Sequence, residues 1–407
     1  MLWTFPLGKG FGGAAVSKGK VYVLDRVGEQ DVLRCIGLAS GEEEWSFAYD
    51  APGRVNPVGS RSVPAIDGNY VYTSGPVGHV HCIDTQTHKS VWTKNFWSDF
   101  GGGERLPMWT LGQNLLVLGD SVIVAAQTPE AGVVAFDKRT GDVQWKTPPF
   151  GARHGYVSPR VVSIGGEEQI VAVGAGPSRR GVFGRRTARG PGASGGAGMP
   201  PPPPPPASAQ GSAGGEQAKG AAIGIDPKTG QVLWSYEGWQ CQTPVPGVTA
   251  IGDGRLFVTG GYQAGSAMIK IEKKDGALAV TELYTTQAFG THVHPAVQYE
   301  GHLYGHCTTN TGRSDGMVCM DLDGNVKWKT ERSPLFDKGG FILADGLILS
   351  VDGREGILYL IEPDPQGFRK LASAKLLDTA RCWAPLALVD GKLLIRDQEK
   401  MRCVAVR

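Results

Sequence analysis

The sequence predicts an all-β chain: an eight-bladed β-propeller of four-stranded antiparallel blades, closed by pairing of the N-terminal strand with the C-terminal blade. Three observations predict it. Eight turn pairs recur, at Lys18-Gly19, Asp67-Gly68, Gly119-Asp120, Gly165-Gly166, Asp253-Gly254, Glu300-Gly301, Asp345-Gly346 and Asp390-Gly391, each followed by an apolar alternation such as Val21-Tyr22-Val23. A third strand then runs into an acidic turn with glycine, and a tryptophan follows, as in residues 135–145 (AFDKRTGDVQW) and 224–234 (GIDPKTGQVLW). Finally, Leu2-Trp3-Thr4-Phe5 reads as the last strand of a blade, whereas Met401 to Arg407 reads as a third strand with no fourth. Pairing these two ends removes both free sheet edges.

Each element has a local reason. Asp at the end of the third strand accepts backbone N–H bonds in the turn, and Gly supplies the positive φ that the turn requires. Trp45, Trp92 and Trp145 recur at about 50 residues, the period of a four-stranded blade that must stack on its neighbours to bury a core. Trp3, Trp45, Trp92, Trp145, Trp234 and Trp328 are the expected docking residues, with Val280 as the equivalent in the blade between Trp234 and Trp328. Cys35, Cys82, Cys319 and Cys403 fall at the repeat position held by Ala135, so they read as small core fillers on separate blades. Residues 1–407 form one propeller domain. Residues 178–219 interrupt blade 4 between its second and third strands, with Arg179, Arg180, Arg185, Arg186 and Arg189 and then Pro200 to Pro206. This composition reads as a loop that buries no core, with a polyproline II ligand or a basic tether as its functional alternatives.

The repeat Ala-x-Asp-x-x-Thr-Gly-x-x-x-Trp, complete at 135–145, resembles the tryptophan-docking repeat of the PQQ-like eight-bladed propellers. That family includes quinoprotein dehydrogenases and BamB-like scaffolds. The resemblance implies a calcium site of Glu, Asn and Asp and an adjacent Cys-Cys pair in the alcohol-oxidising members. This chain has no Cys-Cys. The expectation is therefore a non-catalytic scaffold that binds a protein partner through its loop face, with the long connections 47–61 and 97–111 as the contact. Binding of an anionic small molecule or glycan is the first alternative, and a PQQ-dependent dehydrogenase the second. No cofactor is required under the first two readings, although PQQ itself is a candidate ligand. The resemblance also implies an extracytoplasmic location, while the chain begins without a signal peptide. A monomer is expected.

A net charge of +2 argues against a nucleic-acid partner, and no apolar run is long enough to span a membrane. Ligand-binding candidates follow from repeat position. Prolines near the start of several first strands mark one mouth of the central channel. Arg61, His154 with Tyr156, Gln242, His292, His294, Arg381 and Trp383 precede them, and Phe11, Trp109 and Lys338 stand there in the looser blades. Converging donors with flat aromatic faces suit an anionic or polar ligand. Two smaller clusters invite a metal reading. If Glu300-Gly301 is a two-residue turn, His294 faces Cys307 and His292 shares its strand face, so His292, His294 and Cys307 could hold zinc. His79 and His81 form a second pair, on a third strand.

Overall fold

In the computed structural model the described residues are 1–177, 219–309 and 314–406. They form eight four-stranded antiparallel sheets. Blade 1 is typical: Ala15–Ser17, Lys20–Val27, Gln30–Gly37 and Glu43–Asp50 lie side by side in chain order. First strands of neighbouring blades touch one another, so they line the channel, and fourth strands form the rim. Blade 8 is made of Ala387–Val389, Lys392–Arg396 and Lys400–Ala405, completed by Trp3–Pro6. The closing register sets Trp3 opposite Cys403 and Phe5 opposite Met401, as the unpaired ends require. Seven of the eight turn pairs connect first and second strands as read; in blade 2 the ladder pairs Asp67 with Tyr70, so the turn is Gly68-Asn69, with Gly68 at φ 60°.

One device recurs between third and fourth strands. A bulge follows Cys35, Cys82, Ala135, Gly224, Met268, Cys319 and Leu360, and the residue opposite each is respectively Trp45, Trp92, Trp145, Trp234, Tyr284, Trp328 and Ala372. The cysteines therefore do share one repeat position, and all seven are free and buried. Tyr284, rather than Val280, is the blade 5 equivalent. The blade 5 hairpin is extended to ten-residue strands, which moves the aromatic residue four positions along the chain.

The rim tryptophans dock forward onto the next blade. Trp3 donates its indole N–H to Leu38 O at 2.9 Å, Trp92 to Lys138 O at 3.1 Å, Trp145 to Pro227 O at 3.1 Å and Trp328 to Asp364 O at 2.7 Å. The first three rings lie on the turn glycines of those blades: a Cβ on Gly41, Gly141 or Gly230 would come within 2.8 Å of the Trp3, Trp92 or Trp145 ring, whereas Trp328 meets Phe368 edge-on. Trp45 stacks on His88, which takes φ 58° where the other turns have Gly. Trp234 departs from the pattern. It folds over its own blade, where a Cβ on Gly224 would meet its Nε1 at 2.0 Å, and it donates to Gln169 Oε1 at 2.7 Å. It still belongs to the same hydrophobic cluster as Ala267 and Ile269 of blade 5.

The flanks of the insertion are second and third strands of blade 4, Glu167–Val173 and Ala222–Ile225, in register. The Arg179 to Arg189 run and Pro200 to Pro206 lie outside the described residues. Trp92→Ala and Trp234→Ala, each removing a ring that is over nine-tenths buried, should cost about 3–5 kcal/mol in chemical denaturation. The half-buried Trp145→Ala should cost less. A loss below about 1 kcal/mol at Trp92 would refute the docking role.

Candidate functional site: the channel mouth

Strand direction decides where the side chains meet. First strands run away from one face, second strands return to it, and fourth strands end there. Connections between blades and loops between second and third strands therefore all gather at that face. They enclose a cavity of about 690 Å³.

Seven of the expected ligand-binding residues line it: Arg61, Trp109, His292, His294, Lys338, Arg381 and Trp383. Phe11 and Tyr156 join them. Arg160, Asn56, Asn114 and Tyr262 also line the wall and were not foreseen. Arg160 is the first residue of an inner strand, Arg160–Ile164, one place beyond the proline used as a marker. Tyr262 sits in the loop between second and third strands of blade 5, a position that a search before first strands does not reach. Two expected residues do not line the cavity. His154 stands behind Tyr156, ring centroids 5.6 Å apart, with Nδ1 against Ala126 O at 3.2 Å. Gln242 offers its backbone carbonyl to Arg153 at 3.0 Å, and its neighbour Thr243 takes the wall position.

The wall is cationic. Arg61, Arg160, Lys338 and Arg381 contribute to it, and no Asp or Glu does among the described residues. Arg61 spends its guanidinium on the Gly59 and Pro57 carbonyls, at 2.7 and 2.6 Å, with no carboxylate in contact. Burial pushes its pKa down to about 10. Lys338 reaches Asp337 at 3.1 Å, and the other oxygen of Asp337 accepts the Trp383 indole N–H at 3.0 Å. The backbone is forced here: Phe336, Asp337 and Arg381 have φ of 56°, 46° and 66°.

The aromatic faces are not bare. Arg61 lies 5.7 Å from the centroid of Phe11, Phe11 stacks on Trp383 at 5.5 Å, and Lys338 lies 4.9 Å from the centroid of Trp383. This cation–ring–ring–cation series ties four blades together and engages the ring surface that sequence reasoning offered to a ligand.

The metal reading rests on a register that the chain does not adopt. Tyr299 faces His302 as expected, but the ladder ends at Val297, and Cys307 bridges Thr291. His294 Nε2 meets Trp383 O at 2.9 Å, while the Cys307 thiol is fully buried beside Gly305 O. Among the described residues no three His, Cys, Asp or Glu side chains are arranged to hold a metal ion, the His79–His81 pair included.

Burial, the largest cause, pushes His292 and His294 down to about 4; the Lys338 charge adds to the shift at His292. His154 is likewise pushed down to about 4 by burial. The unfolded chain protonates these rings near the ordinary value of about 6.5, and the folded chain does so near 4, so between those limits the unfolded state binds more protons. Stability contributed by the neutral rings is full above about pH 6.5 and falls as pH drops toward 4. His292→Gln should therefore flatten the melting temperature between pH 6.5 and 4.5; an unchanged slope would refute a neutral buried His292.

A family model described as outer membrane protein assembly factor BamB matches residues 28–190 and 218–358. Quinoprotein ethanol dehydrogenase of Pseudomonas aeruginosa is 27% identical over 157 residues, which cover 36% of this chain and 23% of the dehydrogenase. The chain thus spans under a quarter of that relative's length. Among solved structures, BamB from Moraxella catarrhalis superposes with a TM-score of 0.61 at 13% identity, covering 98% of this chain and 95% of that one. Quinohemoprotein alcohol dehydrogenase from Comamonas testosteroni gives 0.61 at 12% identity, covering 99% and 76%. At such identities the likeness is one of fold.

Proposed function

The chain belongs to the family described as outer membrane protein assembly factor BamB, and from that premise we infer that it is a non-catalytic recognition propeller whose mouth binds an organic anion. One observation carries this reading: four Arg and Lys side chains converge on one cavity with no carboxylate among its described lining residues. Like charges held together in a partly desolvated wall repel, and an anion relieves that repulsion. Arg61 is the most constrained of them, and its burial without a contacting carboxylate favours an anionic guest.

PQQ, a tricarboxylate, fits the charge of the wall. Among its described residues the same wall supplies no carboxylate with which a calcium ion could share the site. Binding without turnover is the reading that suits both facts. Acidic oligosaccharides are the second ligand class of the right charge.

The test is titration calorimetry of the full chain against PQQ and against an oligogalacturonate. Binding tighter than about 1 mM, roughly 4 kcal/mol, is expected for at least one. Arg381→Ala should weaken it about tenfold, roughly 1.4 kcal/mol, with little change in melting temperature. Absence of binding to both probes defeats the reading.

A second reading is docking of a protein partner on the rim. It is favoured by a groove between the connections 52–56 and 104–110, where Met108 is 72% exposed, with Val58 (55% exposed) further along the first of them. Met108→Asp with Val58→Asp would leave anion binding intact and abolish a partner complex.

A further inference from the structure

Between blades 1 and 2, behind the mouth, five buried polar atoms on neighbouring side chains have no hydrogen-bond partner of full geometry among the described residues. They are Asp31 Oδ2, Tyr49 OH, Thr73 Oγ1, His79 Nδ1 and His81 Nε2. Asp31, Thr73, His81 and Tyr49 are 0%, 1%, 6% and 8% exposed. The Tyr49 ring lies 4.1 Å from His81 and 5.8 Å from His79, centroid to centroid. Thr73 is the strand partner of His81. Gly75 leaves the space open: a Cβ there would come to 2.7 Å from Tyr49 OH and 2.8 Å from Asp31 Oδ2.

An orphaned buried polar atom is costly; the Tyr49 hydroxyl lies close enough to Asp31 and Thr73 to be coupled to both, yet none of these bonds has full geometry, which points to a guest that bridges them. The guest must both donate and accept, since it meets a carboxylate oxygen, two hydroxyls and two imidazole nitrogens. A metal ion is disfavoured because no three ligating side chains are suitably arranged among the described residues. Water, which both donates and accepts, meets the chemical requirement.

We propose that this chamber is a hydrated, proton-binding site, in which ordered water joins Asp31 and Tyr49 of blade 1 to Thr73, His79 and His81 of blade 2. The charged and titratable groups that face it are few. Arg26 pairs with Asp31 Oδ1 at 3.0 Å, and Asp99 acts on His79 from the outer side. Burial raises Asp31 above the usual carboxylate range and pushes His81 down to about 4, so both would take up a proton in acid. The site sits directly behind the mouth. Ser60 Oγ donates to Asp31 Oδ1 at 2.8 Å, the Ser60 carbonyl accepts Phe11 N–H at 2.7 Å, and the next residue is Arg61. The inference does not rest on the mouth's ligand, because its readouts are hydration, stability and proton uptake.

A high-resolution crystal structure at neutral pH should show water within hydrogen-bond distance of at least two of the five atoms; a dry chamber overturns hydration. Tyr49→Phe and Thr73→Val remove one hydroxyl each at nearly constant shape. If water satisfies these hydroxyls, both substitutions lower the melting temperature; if they are orphans in a dry void, melting is unchanged or raised and the proposal falls. Proton binding is read from the His79 imidazole by NMR on the full chain. Asp31→Asn should shift its titration midpoint downward, because the carboxylate favours the charged ring; an unmoved midpoint overturns the coupling. Should Asp31→Asn fail to fold, Tyr49→Phe measured across the same pH range decides, since loss of the bridging water should also move the His79 midpoint.

Discussion

Most of this ring depends on an aromatic ring laid across a neighbour's turn. A blade of short strands has two apolar faces and can cover neither by itself. The bulge before each fourth strand increases the local twist and aims the opposite residue out of the sheet plane. For Trp3, Trp45, Trp92 and Trp145 that residue lands on the next blade's turn, where a glycine, or His88 at positive φ, leaves room. The Asp-x-x-Thr-Gly motif consequently serves twice. Asp137 Oδ1 accepts the Arg139 and Thr140 N–H groups and shapes the turn, and Gly141 of the same turn receives Trp92 from the blade before. Trp3 makes the same contact across the closure, so the two chain ends are joined by docking as well as by strand pairing.

Once the blades are docked, strand direction gathers the mouth. Residues from Phe11 to Trp383 meet there because every inter-blade connection ends at one face. Positions at that face carry little of the core's packing demand, so their composition is free to serve binding. The strained backbone at Phe336, Asp337 and Arg381 is concentrated at this cavity, on the connections entering blades 7 and 8.

What could be read from the residues alone divides along the same line. The blade count, the closure and the cysteine position were legible because each is repeated with a fixed period. Val280 was misassigned because blade 5 lengthens its hairpin, and counting from the turn cannot see an extension. His154 and Gln242 were placed on the wall because they precede an inner strand. Which side of an irregular connection faces the channel is set by packing, which puts Tyr156 and Thr243 there instead. The zinc trio failed for a related reason: alternation holds only while the ladder lasts, and this ladder ends at Val297. Arg160 opens an inner strand one residue past its proline and Tyr262 stands between a second and a third strand, so neither precedes an inner strand, although repeat position alone implies Arg160.

The distribution of charge completes the argument. The chain as a whole is nearly neutral at +2, so a cavity wall with four cations and no described acid requires that acids be kept elsewhere. They are kept one layer back. Asp337 holds Lys338 and the Trp383 indole from outside the cavity. Asp31 lies behind Arg61, paired with Arg26 and Ser60, and acts on Arg61 through space and not by contact. Carboxylates at that depth offset part of the desolvation that would otherwise neutralise or displace the cations. They also leave the cavity wall itself without a carboxylate among its described lining residues. A wall built this way stays charged when empty and still has donors to offer an incoming anion.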